Sequence, residues 1–427
     1  MHWLKLKAGA LQLTLFIAVV IALLLSAFIL LVHTHKKFQV QTDFVIETAR
    51  NTDKGFDYAF QNRVPLNDTL QIQLTEEPNR AVKIHRDYWG VFEKILSISQ
   101  TKNKRFTKTA LVGAKQSGDN RTALYVQDNN KPLVLVGNTK IEGIAYIPKQ
   151  GVKSGTISGQ SYYGSQLIYG QTKTSSTLPK VASEIISQIK SIENQISKTS
   201  QSQFMEFKDG KSYKNSFKKP VKVIFSNSNI NLNSIQLTGH ILVQSKTRIV
   251  VEATSVLKDV VLIAPEIEIK NNVKGYFQAI ASKSIRVGSN VHLEYPSALV
   301  LNEKQLGYQQ GAINNNHLET SFIYIEENAV IKGLVLFLGE EKTNNYKAQI
   351  ELNENATLYG ELYCNQNTEL KGTVYGTVFT NNFIANQSGS VYQNHIYNGN
   401  IIINKLPEEY VGLSFNGSKK EILKWLY

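Results

Sequence analysis

The side chains able to move protons, attack electrophiles or hold metals are scattered along this sequence. Its eight histidines are His2, His33, His35, His85, His240, His292, His317 and His395. Only His33 and His35 are close neighbours, and no His/Cys group has zinc-site spacing. There is no Gly-x-Ser-x-Gly elbow and no calcium-loop pattern of aspartates. The paired acids are Glu266-Ile267-Glu268, Glu326-Glu327 and Glu340-Glu341. On a strand, Glu266 and Glu268 point to one side, the disposition that two-carboxylate glycoside chemistry uses. A solvated strand face carries the same pattern. Gly151, Gly155 and Gly159 recur every fourth residue with no Lys-Ser/Thr pair and no helix behind them, so they read as turn glycines rather than a phosphate cradle. Cys364 is the one cysteine; it cannot form an internal disulfide and reads as a buried spectator thiol. The sequence therefore predicts no catalytic residue, no metal ligand and no cofactor. An enzyme is the alternative reading, as a polysaccharide lyase or hydrolase on a β-helix scaffold.

The elements that would position such residues are mainly strands. The composition is 42% hydrophobic and 19% charged, which suits a folded chain, and 20 Tyr, 18 Phe and many Val, Ile and Thr favour strands. Across residues 221–404, apolar segments of four to seven residues return every 17 to 20 residues, the tier length of a solenoid. Examples are Ile249-Val-Val251, Ile267-Glu-Ile269 and Ala298-Leu-Val-Leu301. A second signal places glycine between apolar residues, at Ile331-Lys-Gly-Leu-Val335, Leu358-Tyr-Gly-Glu-Leu362, Leu370-Lys-Gly-Thr-Val374 and Val374-Tyr-Gly-Thr-Val378. Glycine permits the bend from one short strand to the next, and Asn at corners accepts left-handed backbone. The predicted fold class is mainly β: one N-terminal transmembrane helix, a mixed β region and a parallel β-helix. A β-sandwich is the competing architecture.

Before that repeat, residues 63–174 read as β-rich. Trp89 to Ser99 and Arg105 to Val112 are predicted as single strands, and Ala123–Val126 with Leu133–Val136 as a hairpin. Residues 175–200 predict an amphipathic helix, with Val181, Ile185, Ile189, Ile192 and Ile196 forming a stripe that covers an open face or end of the β structure. The basic segment 208–219 reads as a solvated loop. Residues 405–427 predict a cap containing a short helix, entered through the capping box Ser418-Lys-Lys-Glu421.

Residues 8–32 decide where all of this sits. They contain no charged residue and only Gln12, Thr14 and Ser26 as polar side chains. About 20 apolar helical residues cross a bilayer, with the backbone paired internally. Residues 1–7 form a basic leader with Lys5 and Lys7, and residues 33–62 continue as a juxtamembrane helix. His33-Thr-His-Lys-Lys37 stands where a signal-peptide cleavage site would lie, which favours an uncleaved anchor. A short basic leader running straight into the span predicts a single-pass bacterial inner-membrane protein with its large C-terminal domain extracytoplasmic. The net charge of +13 suits a basic domain near an anionic surface. Without zinc-finger spacing, an RNA-binding aromatic signature or a long Lys/Arg run, nucleic acid is not an expected partner.

The leader, Gly9, Ala10 and the unbroken apolar helix together resemble the start of type IV pilin-like and pseudopilin-like proteins. That resemblance implies leader cleavage between Gly9 and Ala10 by a prepilin peptidase. It covers about 35 residues, and Thr14 stands where most of that family carry Glu. Residues 328–400 resemble the glycine-punctuated repeats of bactofilins, which implies β-helical stacking and, as a further alternative, a membrane-bound cytoplasmic scaffold. The resulting expectation is a membrane-anchored structural or adhesive protein of a bacterial cell envelope, which the pilin-like resemblance extends to a minor component of a pilus-like or secretion assembly. Its expected partners are the lipid bilayer, other envelope or pilus-like assembly proteins, and anionic polysaccharide.

Overall fold

The computed structural model describes residues 8–73, 80–115, 121–304, 321–340, 342 and 344–426. The basic leader, His2, His317 and Glu341 lie outside them. Two compact units divide the chain: Met1–His85 with Leu96–Lys108, and Arg86–Ile95 with Thr109–Tyr427.

In the first unit, one helix, α1 (Ala8–Gln61), joins the apolar run to the juxtamembrane segment without a break. Every described side chain from Gly9 to Val32 is exposed, Leu11 by 71% and Phe28 by 63%. The last turns behave differently. Thr48, Asn51, Thr52, Phe56 and Ala59 are buried at helical spacing, and the Ser97 hydroxyl donates to the Thr52 carbonyl at 2.8 Å. Gly55 belongs to this buried stripe for a steric reason. A Cβ there would come within 2.2 Å of the Ser97 Oγ and 2.9 Å of Val82 Cγ1.

The second unit contains three ladders of parallel strands. One runs Val243–Leu262–Ala279–Leu299–Val335–Leu362–Val378 through successive paired residues. A second aligns six isoleucines, Ile230, Ile249, Ile267, Ile285, Ile323 and Ile350. The third runs Leu237–Leu257–Gly275–Leu293–Ile331–Leu358–Val374. Apart from Gly275, these residues are buried and join one apolar cluster. Strand alternation explains this, since each rung sends every second side chain inward against its equivalent on the next.

Glycine makes the bends. Gly333, Gly360 and Gly376 are in register, with φ of +141°, +142° and +151°. A Cβ on any of them would meet the carbonyl oxygen of the preceding rung at 2.0 Å or less. Gly372, in the third of the glycine-centred segments, falls between Thr357–Leu370 and Thr373–Gln387 instead. Asn272, Asn290, Asn328 and Asn355 take left-handed corners with φ between 57° and 64°.

Several expectations require correction. Thr122–Val126 and Leu133–Val136 do not form a hairpin. Leu124 pairs in parallel with Val378 and, on its other side, with Ala145, whereas Leu135 pairs with Ile396. Residues 122–174 thus prolong the ladders beyond Thr373–Gln387 and are not a separate β region. Alternating apolar residues specify a half-buried strand and leave its partner open. Trp89 to Ser99 is two strands, Arg80–Trp89 and Phe92–Thr101, which turn at Gly90 and Val91. The α-helix in 175–200 is confined to α2 (Ser183–Ser191), followed by a 3-10 segment, Ile192–Lys198. Its buried stripe of Ile185, Ile189 and Ile192 packs in one cluster with Trp89, Phe92, Val261 and Ile280 on the outer side of the first ladder. The C-terminal segment is not helical either. Lys420–Leu426 is a strand antiparallel to residues 109–114, with Ile422 opposite Val112. Seven residues satisfy either apolar period, and a neighbouring strand edge decides between them.

Candidate functional site

The acids with the best spacing for catalysis are engaged with cations. Glu266 and Glu268 share the outer side of the second ladder, as their spacing requires. Glu266 pairs with Lys283 at 2.9 Å, while Glu268 pairs with Arg248 and, at 2.5 Å, with Lys270. Glu326 accepts from the Ser289 backbone N–H at 3.0 Å. Among the described residues no group of three His, Cys, Asp or Glu side chains is placed to hold a metal ion. The Cys364 thiol is fully buried, and burial pushes its pKa up to about 12, so it is a poor nucleophile. Gly9 and Ala10 occupy the first turn of α1, exposed, and a Cβ on Gly9 would touch nothing within 4 Å.

Two charged constellations were not foreseen from sequence. The first lines a cleft of about 250 Å³ formed by residues 86–93, 112–113, 182–185 and 412–420. The buried Arg86 guanidinium donates to Glu93 at 2.9 Å and also binds Glu184, and Lys420 reaches Glu93 at 2.7 Å. Hydrogen bonds and charge from Glu184 and Glu93 raise the arginine pKa against the opposing effect of burial. Each cation already faces a carboxylate, so this network fastens the hairpin turn, α2 and the C-terminal strand.

The second is Glu361, fully buried on the first ladder. It accepts the Leu413 backbone N–H at 2.5 Å, and burial pushes its pKa up to about 7. Around it, Tyr410 donates to the Gly333 carbonyl at 3.0 Å and Tyr295 to the Val411 carbonyl at 2.8 Å. Arg121 donates to the carbonyls of Leu406 and Pro407 at 3.1 and 2.6 Å. These bonds clamp residues 406–413 onto the rungs. A lone Glu followed by apolar residues gave no signal of this in the sequence.

The most continuous chemically distinctive surface is the outer row of the third ladder. Paired positions run Lys214–Thr238–Lys258–Tyr276 and, farther along the same ladder, Lys332–Tyr359–Tyr375. The rings of Tyr359 and Tyr375 lie 4.9 Å apart at 37°, which is the spacing between neighbouring strands. Lys405 Nζ sits 4.5 Å from the Tyr375 ring and 3.2 Å from its hydroxyl. At the other end Lys424 Nζ lies 4.0 Å from the Tyr276 ring. Lys332 is neutralised by Glu294 at 2.8 Å, an acid that His292 also contacts. Lys214, Lys258, Lys274 and Lys405 are exposed and form no ion pair among the described residues. Single lysines and tyrosines spaced 16 to 27 residues apart become a row only when the rungs stack. No protein-family model, curated protein or solved structure matches this chain.

Proposed function

We propose that this chain is a membrane-anchored structural or adhesive protein of a bacterial cell envelope, in which the three ladders are the faces of one β-solenoid. The observation that carries the reading is α1. Its residues 9–32 expose an apolar surface on every side, far more than a soluble protein tolerates. A bilayer removes that surface from water at no cost in unpaired backbone groups. The in-register isoleucine column and the stacked glycines support the solenoid. Ion pairing of Glu266 and Glu268 favours a scaffold over an enzyme. The resemblance to pilin-like proteins adds a role as a minor component of a pilus-like or secretion assembly, with cleavage between Gly9 and Ala10.

Fractionation tests the anchor. The full chain is expected to stay in membranes through alkaline carbonate extraction, and its release into the supernatant would reject the reading. Protease shaving of intact cells is expected to remove the β units, whereas their protection places them in the cytoplasm, as the bactofilin-like alternative requires. Mass spectrometry of the mature N-terminus tests processing, and an intact Met1 removes the pilin-like component.

A further inference from the structure

We infer that the outer row of the third ladder is a docking strip for an acidic, carboxylate-bearing polysaccharide; this rests on the adhesive reading above. Because Tyr359 and Tyr375 stack along the ladder at 4.9 Å, their faces are turned toward each other, and Lys405 lies over Tyr375. What remains for a partner is ring edges, which carry the positive part of the quadrupole, together with phenol O–H donors. The lysines add ammonium groups at Lys258, Lys274 and Lys405, all exposed and without an ion-pair partner among the described residues. Donors and positive charge thus recur from rung to rung along one direction. Their complement is an anion repeated along a polymer and able to accept hydrogen bonds from several rungs.

A nucleic acid fits less well. Single strands bind basic grooves by stacking bases on open aromatic faces, and here Tyr359 and Tyr375 already stack on each other while lysines lie over Tyr375 and Tyr276. An apolar protein surface fits less well still, since unpaired lysines would be desolvated against it. Each acid along the strip is already held by a cation: Glu294 by Lys332, Asp259, beside Lys258, by Lys424 at 2.5 Å, and Glu142, near Lys405, by Lys140 at 2.7 Å.

The test uses the full chain in phosphatidylcholine nanodiscs, with binding read by interferometry. Oligogalacturonate is the probe, set against neutral amylose, a poly(glycerol phosphate) and an oligo-dT strand. Oligogalacturonate is expected to bind, more weakly as salt rises, while amylose does not. The triple variant Lys258→Gln, Lys274→Gln, Lys405→Gln is expected to lose about tenfold in affinity and most of the salt dependence. Tyr359→Phe with Tyr375→Phe keeps the rings and removes only the donors, with an expected several-fold loss. Circular dichroism melts of each variant matching the parent confirm that the rungs are intact. Equal binding of amylose, undiminished binding by the triple variant, or tighter binding of oligo-dT or the phosphate polymer through the same lysines would each overturn the assignment. So would the absence of oligogalacturonate binding, and in that case carbonate-resistant anchoring would still stand as a separate result.

Discussion

Two buried titratable groups set opposite pH limits on this protein. Glu361 has a folded pKa raised to about 7, above the ordinary carboxylate value, because burial disfavours its charge. Between these values the folded state binds a proton that the unfolded state has released, so stability falls as pH rises from about 4.5 and levels off above 7. The cost is on the order of 3 kcal/mol. Glu361→Gln keeps an acceptor for the Leu413 N–H and is expected to raise Tm at pH 8 while leaving pH 5 nearly unchanged. His240 works from the acid side. It sits between the rings of Trp89 and Phe217 at 4.7 and 4.9 Å, with Nδ1 2.9 Å from the Lys219 carbonyl. Burial first, and then Lys94, depress its pKa to about 4. The neutral ring's contribution is present above pH 6.5 and is lost as pH falls toward 4. Thermal melts of His240→Phe across pH 4–7 should be flatter than those of the parent.

At the scale of elements, the stacked glycines are the least replaceable part of the fold. Gly360→Ala combines a φ of +142° with a Cβ 1.9 Å from the Gly333 oxygen. The expected loss is about 2 kcal/mol or more, read as a lower urea midpoint. Ile189 of α2 is 3% exposed, and Ile189→Ala should cost about 2–3 kcal/mol through the cavity it leaves. The elements also show what the sequence could reveal. Ile249-Val-Val251, Ile267-Glu-Ile269 and the glycine-centred segments were readable because their alternation and bends are local properties. Strand partners were not, since Leu124 carries the same pattern whether it meets Leu135 or Val378. Ile422 to Leu426 misled for a related reason: a capping box and four apolar residues describe a helix well until an unpaired strand edge at residues 109–114 competes for them. The Lys–Tyr row was invisible because none of its members are neighbours in sequence.

For the whole molecule, the solenoid proposed above would make the parallel strands of the second unit a one-dimensional array in which each rung is stabilised chiefly by its neighbours. Leu299→Ala and Leu362→Ala lie on rungs separated by that of Val335. Their effects on stability are expected to be additive within about 0.5 kcal/mol, whereas Leu362→Ala with Val378→Ala, on paired rungs, should deviate from additivity. The double-mutant cycles would be measured by urea denaturation.

The parallel pairing of Val378 with Leu124 has a bearing on biogenesis. The ribosome makes residues 122–174 early, yet the edge onto which they fit is not finished until residues 373–402 have been made. For some two hundred and fifty residues of elongation, Leu124 lacks Val378 and Leu135 lacks Ile396 on one side, a long wait for greasy segments that aggregate readily. A nascent chain halted before residue 373 should therefore be cut by protease within 122–174 while 222–302 already resists. Holding that early stretch apart until the late one arrives would be work for a chaperone rather than for the chain itself.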